Sequence, residues 1–246
     1  MRRYVRVLGM ILISMAWLSA ASAESILIIG DSLSCGPFGR ELFSRFNTGG
    51  NQVTLYCAVS SAPSNWMTGL KPTGQFCQTM TTASSNGQRL DLCGGAGEMP
   101  TLSAVLSQHK GARIIVGLGT NTLLSGKADA SYRKMAKAVG ESAASCDWIG
   151  PPHMNPSQSK GFPPGRVAQL EKNLNDFYDS LATSVGSTCP LIDSREATFD
   201  GTAGNQTVDG VHRSATAGKF WVDQIWPQLS EKGTSAPKLR SAPVSK

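Results

Sequence analysis

The chain has 246 residues, 40% of them hydrophobic and 16% charged, enough apolar material for one sizeable α/β domain or two small ones. Its formal charge of +6 is not a property of the central region: Arg2, Arg3 and Arg6 supply three charges, and Lys232, Lys238, Arg240 and Lys246 against Glu231 supply the other three. Residues 24–230 are formally neutral, which removes the electrostatic support for a nucleic-acid partner.

The N-terminus reads as a secretory leader over residues 1–23. A basic start is followed by an apolar run from Val7 to Ala20, too short to span a bilayer comfortably, and by the small-residue sequence Ala21-Ser22-Ala23. An exported chain without stable membrane insertion, periplasmic or secreted, is expected. From there strand and helix patterns alternate. Ser25–Gly30 is an apolar strand. Phe38, Leu42, Phe43 and Phe46 recur at helical spacing until Gly49-Gly50 stops them. Gln52–Val59 alternates as a strand. Residues 60–100 carry little periodicity and many Ser, Thr, Gly and Pro, and read as a long irregular stretch. Leu102, Val105 and Leu106 mark a short helix, Ala112–Leu118 a strand, Met135, Ala136 and Val139 a helix, and Cys146–Ile149 a strand halted by Pro151-Pro152. Val167, Leu170, Leu174, Phe177, Leu181 and Val185 predict one long amphipathic helix. Cys189–Asp193 is a last short strand, and Phe220, Trp221, Ile225, Trp226 and Leu229 line a terminal helix over which the domain 24–230 closes. The tail 231–246, rich in Ser, Pro, Ala and Lys, is expected to be disordered.

Short apolar strands separated by helices predict a parallel sheet covered on both faces. Six cysteines, Cys35, Cys57, Cys77, Cys93, Cys146 and Cys189, predict disulfides in an exported chain. Fifteen pairings are possible for six cysteines. Cys77 with Cys93 would close a local loop, and Cys146 with Cys189 would tie two neighbouring strands. No CxxC is present, so a zinc ribbon or thioredoxin-type site is not indicated.

In a parallel sheet ligands gather at the carboxyl ends of the strands. Three segments share that rim: GDSLS after the first strand, GLGTN after the strand at Ala112, and VDGVHRS before the last helix. Asp209 and His212 are three residues apart, close enough for the carboxylate to hold one imidazole nitrogen while the other points outward. Alternatively, Asp209 closes a turn and Ser214 caps a helix. Ser32 is placed to be an exposed nucleophile at a strand-to-helix junction, although Ser32 and Ser34 equally suit capping. Asn121 can donate its amide to an oxyanion or satisfy a tight turn.

Together the segments resemble the SGNH (GDSL-type) hydrolase family. Gly30-Asp31-Ser32-Leu33 is similar to its nucleophile block, Gly119-Thr120-Asn121 to its oxyanion-asparagine block, and Asp209-Gly210-Val211-His212 to the block carrying the other two triad members. The resemblance covers about Ser25 to Leu229. It implies a flavodoxin-like three-layer sandwich with a central parallel sheet, a Ser32–His212–Asp209 triad, an oxyanion site involving Asn121, Gly119 and the turn after the second strand, and ester hydrolysis without cofactor or metal. The other histidines, His109 and His153, lie in separate segments and form no metal-ligand cluster with an aspartate. Where the family usually has a glycine after the second strand, this chain has Ser60, within CAVSSAPSNWMTG. The run SAPSNW and the segment CDWIGPP resemble stretches of exported bacterial members.

The expected substrate is an acylated glycan or small ester, with acetyl removal from envelope polysaccharide, peptidoglycan included, ahead of lipase or thioesterase action on longer chains. No long apolar lid segment is evident. Trp66, with Trp148, is a candidate for stacking on sugar rings, and His153 for edging the substrate pocket. A monomer is expected. Two other readings stand: a glycan-binding module with a dead triad, and a glycan-cleaving enzyme using carboxylates among Asp31, Glu98 and Asp209.

Overall fold

Ile26, Leu27, Ile28 and Ile29 leave strand β1 (Ser25–Gly30) without a polar face, so it belongs inside a sheet covered on both sides. A computed structural model, which describes residues 23–70, 77–81, 90–91 and 99–230, places it there. β1 pairs in parallel with β2 (Gln52–Ala58) on one side and β5 (Arg113–Gly117) on the other. β6 (Ser145–Ile149) and β7 (Leu191–Ile192) continue the parallel order beyond β5. At the opposite edge β3 (Cys77–Thr81) and β4 (Leu90–Asp91) add an antiparallel extension, giving the order β4-β3-β2-β1-β5-β6-β7 among the described residues. Residues 1–22 of the expected leader, the tail 231–246, Glu98 and Cys93, and with it the expected Cys77–Cys93 pairing, lie outside the described residues.

Alternate residues of the central strands feed two cores. Leu27, Ile29, Ile114, Val116 and Trp148 pack with Tyr132 and Met135 of α5 (Ala130–Ser142) and with Phe177 and Leu181 of α7 (Leu174–Val185). Ile26, Ile28, Ile115, Ile149 and Ile192 pack on the other face with Phe38 and Leu42 of α2 (Pro37–Thr48) and with Trp221 and Ile225 of α9 (Ala215–Ser230). The result is the expected three-layer α/β architecture around a central parallel sheet. Phe38 and Trp221 stack at 3.7 Å and 18°. A Cβ on Gly218 would come within 2.8 Å of the Phe38 backbone nitrogen, so the glycine is what lets α9 lie this close to α2. The phenol of Tyr178 donates to the Pro151 carbonyl (2.9 Å) and accepts the Ser194 N–H (2.9 Å), joining the segments that follow β6 and β7.

The structure departs from the sequence reading in two places. The stretch 60–100 is not wholly irregular: α3 (Pro63–Thr68) opens with a proline in its first turn, the Asn65 side chain accepts the Ala62 N–H, and Gly69 ends the helix in the left-handed conformation. β3 and β4 also fall in it, and as short strands with polar residues they carry no apolar alternation. The predicted long helix is two, α6 (Arg166–Lys172) and α7. They part at Asn173, whose amide donates to the carbonyls of Leu123 and Leu124. Cys146 and Cys189 are bonded as expected, and Cys35 is bonded to Cys57.

Candidate active site

β1 ends at Gly30 and the chain turns at once into α1 (Ser32–Cys35). Asp31 caps this helix: its Oδ1 accepts the Leu33 N–H at 3.0 Å. A Cβ on Gly30 would sit 1.8 Å from the Ser34 hydroxyl oxygen, so glycine is required for α1 to fold back over the strand. Ser34 is buried as a result, while Ser32 at the first helical position keeps partial solvent access. The cap that the sequence offered to the serines thus belongs to Asp31.

On the other side of the rim the chain passes through Asp209–His212 just before α9. Asp209 Oδ1 accepts the N–H groups of Val211 (3.0 Å) and His212 (2.8 Å). Its second oxygen lies 2.7 Å from His212 Nδ1. His212 Nε2 lies 2.9 Å from Ser32 Oγ. Residues 180 positions apart therefore form one continuous chain of hydrogen bonds, carboxylate to imidazole to hydroxyl. Burial opposes the charge on Asp209, but its bonds to His212 and Val211 outweigh that and hold the carboxyl below its ordinary range.

Asn121, exposed at the start of a 3-10 turn over Thr120–Ser125, reaches the same place. Its amide nitrogen donates to the Ser61 carbonyl at 3.0 Å and, more weakly, to Asp31 Oδ2 at 3.3 Å. It therefore bridges the turn carrying Ser32 to the turn carrying Ser60. Ser60 has φ +61°, the one non-glycine residue in the left-handed region among the described residues. That conformation costs an L-residue about 1–2 kcal/mol and accounts for the glycine usual at this position. The Cys35–Cys57 disulfide ties the same two turns together from behind.

Asp31 is 1% exposed. Burial drives its carboxyl up from 3.8 to about 7, against the opposing pull of the Leu33 N–H and the neighbouring His212. This buried acid, lying directly under the nucleophile and touching Asn121, was not singled out by sequence reasoning for a role of that kind. Asp31 is buried and Asp209 is bonded to His212, so neither offers a free carboxyl at the rim; Glu98 lies outside the described residues.

Two sequence expectations are revised. Trp66 is 1% exposed, its indole N–H donating to Ser61 Oγ at 3.1 Å, and Trp148 is fully buried with its N–H on the Leu118 carbonyl at 2.9 Å. Neither offers a face to a sugar; both brace rim loops from beneath. Gly119 is buried against Pro151 and Phe177, and its carbonyl takes the Thr122 N–H and hydroxyl, so it shapes the turn that presents Asn121. His153 makes no contact with the triad. Its Nδ1 lies 2.5 Å from Glu171 Oε1, and its carbonyl accepts from the buried Arg213 beside His212.

Neither a family model nor a curated protein matches the sequence. Solved structures do match in shape. A carbohydrate acetylesterase family member from Sinorhizobium meliloti superposes with a TM-score of 0.52 at 13% identity, covering 85% of this chain and 98% of its own. A protein from Slackia heliotrinireducens assigned to the SGNH hydrolases gives 0.54 at 13% identity, over 85% and 100%. A GDSL-like lipase from Bacteroides thetaiotaomicron gives 0.51 at 12% identity, over 85% and 89%. The chain has the SGNH hydrolase fold. Within that SGNH fold, the three blocks read from the sequence lie at one rim, at the carboxyl ends of β1 and β5 and at the start of α9.

Proposed function

We propose that this protein is a serine esterase that removes small acyl groups, acetyl foremost, from glycans of the cell envelope after export. The observation carrying this reading is the unbroken series Asp209–His212–Ser32, at 2.7 and 2.9 Å, beside the Asn121 amide.

In the proposed reaction, Ser32 Oγ attacks the ester carbonyl carbon and passes its proton to His212 Nε2. Asp209, held by two backbone N–H groups, fixes the imidazole with Nδ1–H toward itself and stabilises the imidazolium. Charge gathers on the former carbonyl oxygen and is met by the backbone N–H groups of Ser32 and Ser60 and by Asn121, whose longer bond to Asp31 is the one to yield. His212 returns the proton to the leaving alcohol, then takes one from the water that releases the acyl group. The protein supplies all of these groups itself.

The likeness in shape to a carbohydrate acetylesterase family member supports acetylated glycans as the substrate class. The Cys35–Cys57 and Cys146–Cys189 disulfides support an oxidising compartment. Among the described residues no helix is long and apolar enough to cross a membrane. The test is turnover of acetyl, butyryl and octanoyl nitrophenyl esters by the wild type and by Ser32→Ala. Acetyl is expected to be fastest and the variant inactive. A tenfold preference for octanoyl would replace this reading with a lipase, the activity named for the Bacteroides structure.

A further inference from the structure

Beside the histidine loop the rim opens into a cavity of about 350 Å³, lined by His153, Asn155, Glu171, Phe199, Asp200 and Asn205 among others. That volume is in the range of small-molecule sites. The cavity belongs to the same edge of the sheet as Ser32, since its walls follow β6 and β7. At a strand spacing of about 4.8 Å, β6 and β7 lie roughly 10–15 Å from β1. The wall is fastened to the catalytic loop by the Asn155 N–H on the Gly210 carbonyl (2.8 Å) and by Arg213 on the His153 carbonyl.

Asn205 is 5% exposed, and its Oδ1 has no hydrogen-bond partner among the described residues. The rest of the residue is anchored: Nδ2 donates to Asp200 Oδ1 (3.3 Å), and the backbone carbonyl accepts from Asn155 (3.0 Å). Asn205 thereby holds Asp200 in place at the cavity wall. Phe199 is 57% exposed, its ring edge-to-face with the His153 imidazole at 5.7 Å and 80°. His153 is itself oriented by Glu171, whose other oxygen takes the Met154 N–H at 2.6 Å. The cavity thus joins an exposed aromatic surface to the carboxylate acceptors of Asp200. Hydroxyl donors carried on a ring with an apolar C–H face complement that set. The guanidinium of Arg213, buried behind His153, makes the region less hospitable to an organic cation.

We propose that this cavity is a saccharide subsite that holds a sugar unit neighbouring the one whose ester is presented to Ser32. The inference rests on the glycan-esterase reading and gives it a polymer-binding element: Phe199 stacks on the sugar ring, and Asp200, held by Asn205, accepts its hydroxyls.

The experiment has two arms. In the first, kcat/KM for acetylated xylotetraose and acetylated chitotetraose is divided by kcat/KM for nitrophenyl acetate, in the wild type, Phe199→Ala and Asp200→Asn. The ratio for at least one oligosaccharide is expected to fall fivefold or more in both variants, through KM. An unchanged ratio for both glycans overturns the subsite. In the second, calorimetry measures binding of the deacetylated tetrasaccharides to Ser32→Ala, with and without Phe199→Ala. Weakening of at least fivefold supports the subsite even if no esterase activity is found, a result that would sink the catalytic reading alone. Tetramethylammonium binding tighter than either saccharide, lost with Asp200→Asn, would overturn the saccharide assignment in favour of a cation site.

Discussion

Replacing Asp31 by asparagine should change the pH dependence of stability in a direction fixed by its burial. The carboxyl is 1% exposed, and its ionisation is pushed from 3.8 to about 7. Between those values the unfolded chain releases this proton while the native chain keeps it. Stability contributed by the neutral acid is therefore full below pH 3.8 and is lost as pH rises toward 7. At about 1.4 kcal/mol for each tenfold change in affinity, the gap amounts to about 4 kcal/mol. Asparagine can still cap α1 by accepting the Leu33 N–H, so the helix start survives. Its amide would meet the Asn121 amide donor-to-donor, a cost present equally at every pH. The quantity to measure is urea-unfolding free energy at pH 4, 5.5 and 8 for both proteins. The wild type should lose up to about 4 kcal/mol more than Asp31→Asn between pH 4 and 8. Asp209 contributes in the opposite sense to both proteins and cancels in the comparison. Parallel pH profiles would refute the reasoning and mean that Asp31 ionises normally in the folded protein.

Asn121→Ala should lower kcat on nitrophenyl acetate by about 10²–10³-fold; a change under threefold would remove Asn121 from the oxyanion site. Ser60→Gly relieves the left-handed strain at φ +61° but adds freedom to the unfolded chain. A gain of up to about 1 kcal/mol, or roughly 2–4 °C in Tm, with activity retained is expected; a loss of that size would show that the hydroxyl is needed. Replacing Cys146 and Cys189 by serine opens a closure spanning 43 positions and should cost about 4 kcal/mol in urea unfolding. An unchanged midpoint would show that this bridge does not limit the unfolded chain.

The candidate site was legible because its parts are local. Gly30–Leu33 and Asp209–His212 each encode a turn as well as a chemical group, and apolar strands before each reacting segment at β1 and β5 announce the rim. What was not legible depends on contacts between turns. Cys57 pairs in register with Gly30, which puts Cys35, one turn into α1, beside it; without that register the pairing is one of many. Trp66 and Trp148 read as sugar platforms because an indole has the same sequence signature whether it braces a loop or faces solvent; their bonds to Ser61 and Leu118 decide the matter. Asp31 reads as part of the Gly30–Leu33 block and as a candidate carboxylate, and nothing local reveals that Asn121 comes to rest on it. Phe199 follows one short helical turn and Asn205 ends another, each too short to leave a periodic pattern, so the cavity they share had no signal to betray it.

The imidazole reaches Ser32 because the segment carrying it runs into the final helix, which Gly218 allows to press against Pro37 and Phe38, a few residues beyond the nucleophile. In the proposed mechanism, competence is therefore withheld until the C-terminal end of the domain has docked. On that reading a ribosome that stalls short of α9, or a protease that clips it away, leaves a hydroxyl that nothing activates, so any esterase signal in a preparation would count docked molecules and ignore fragments.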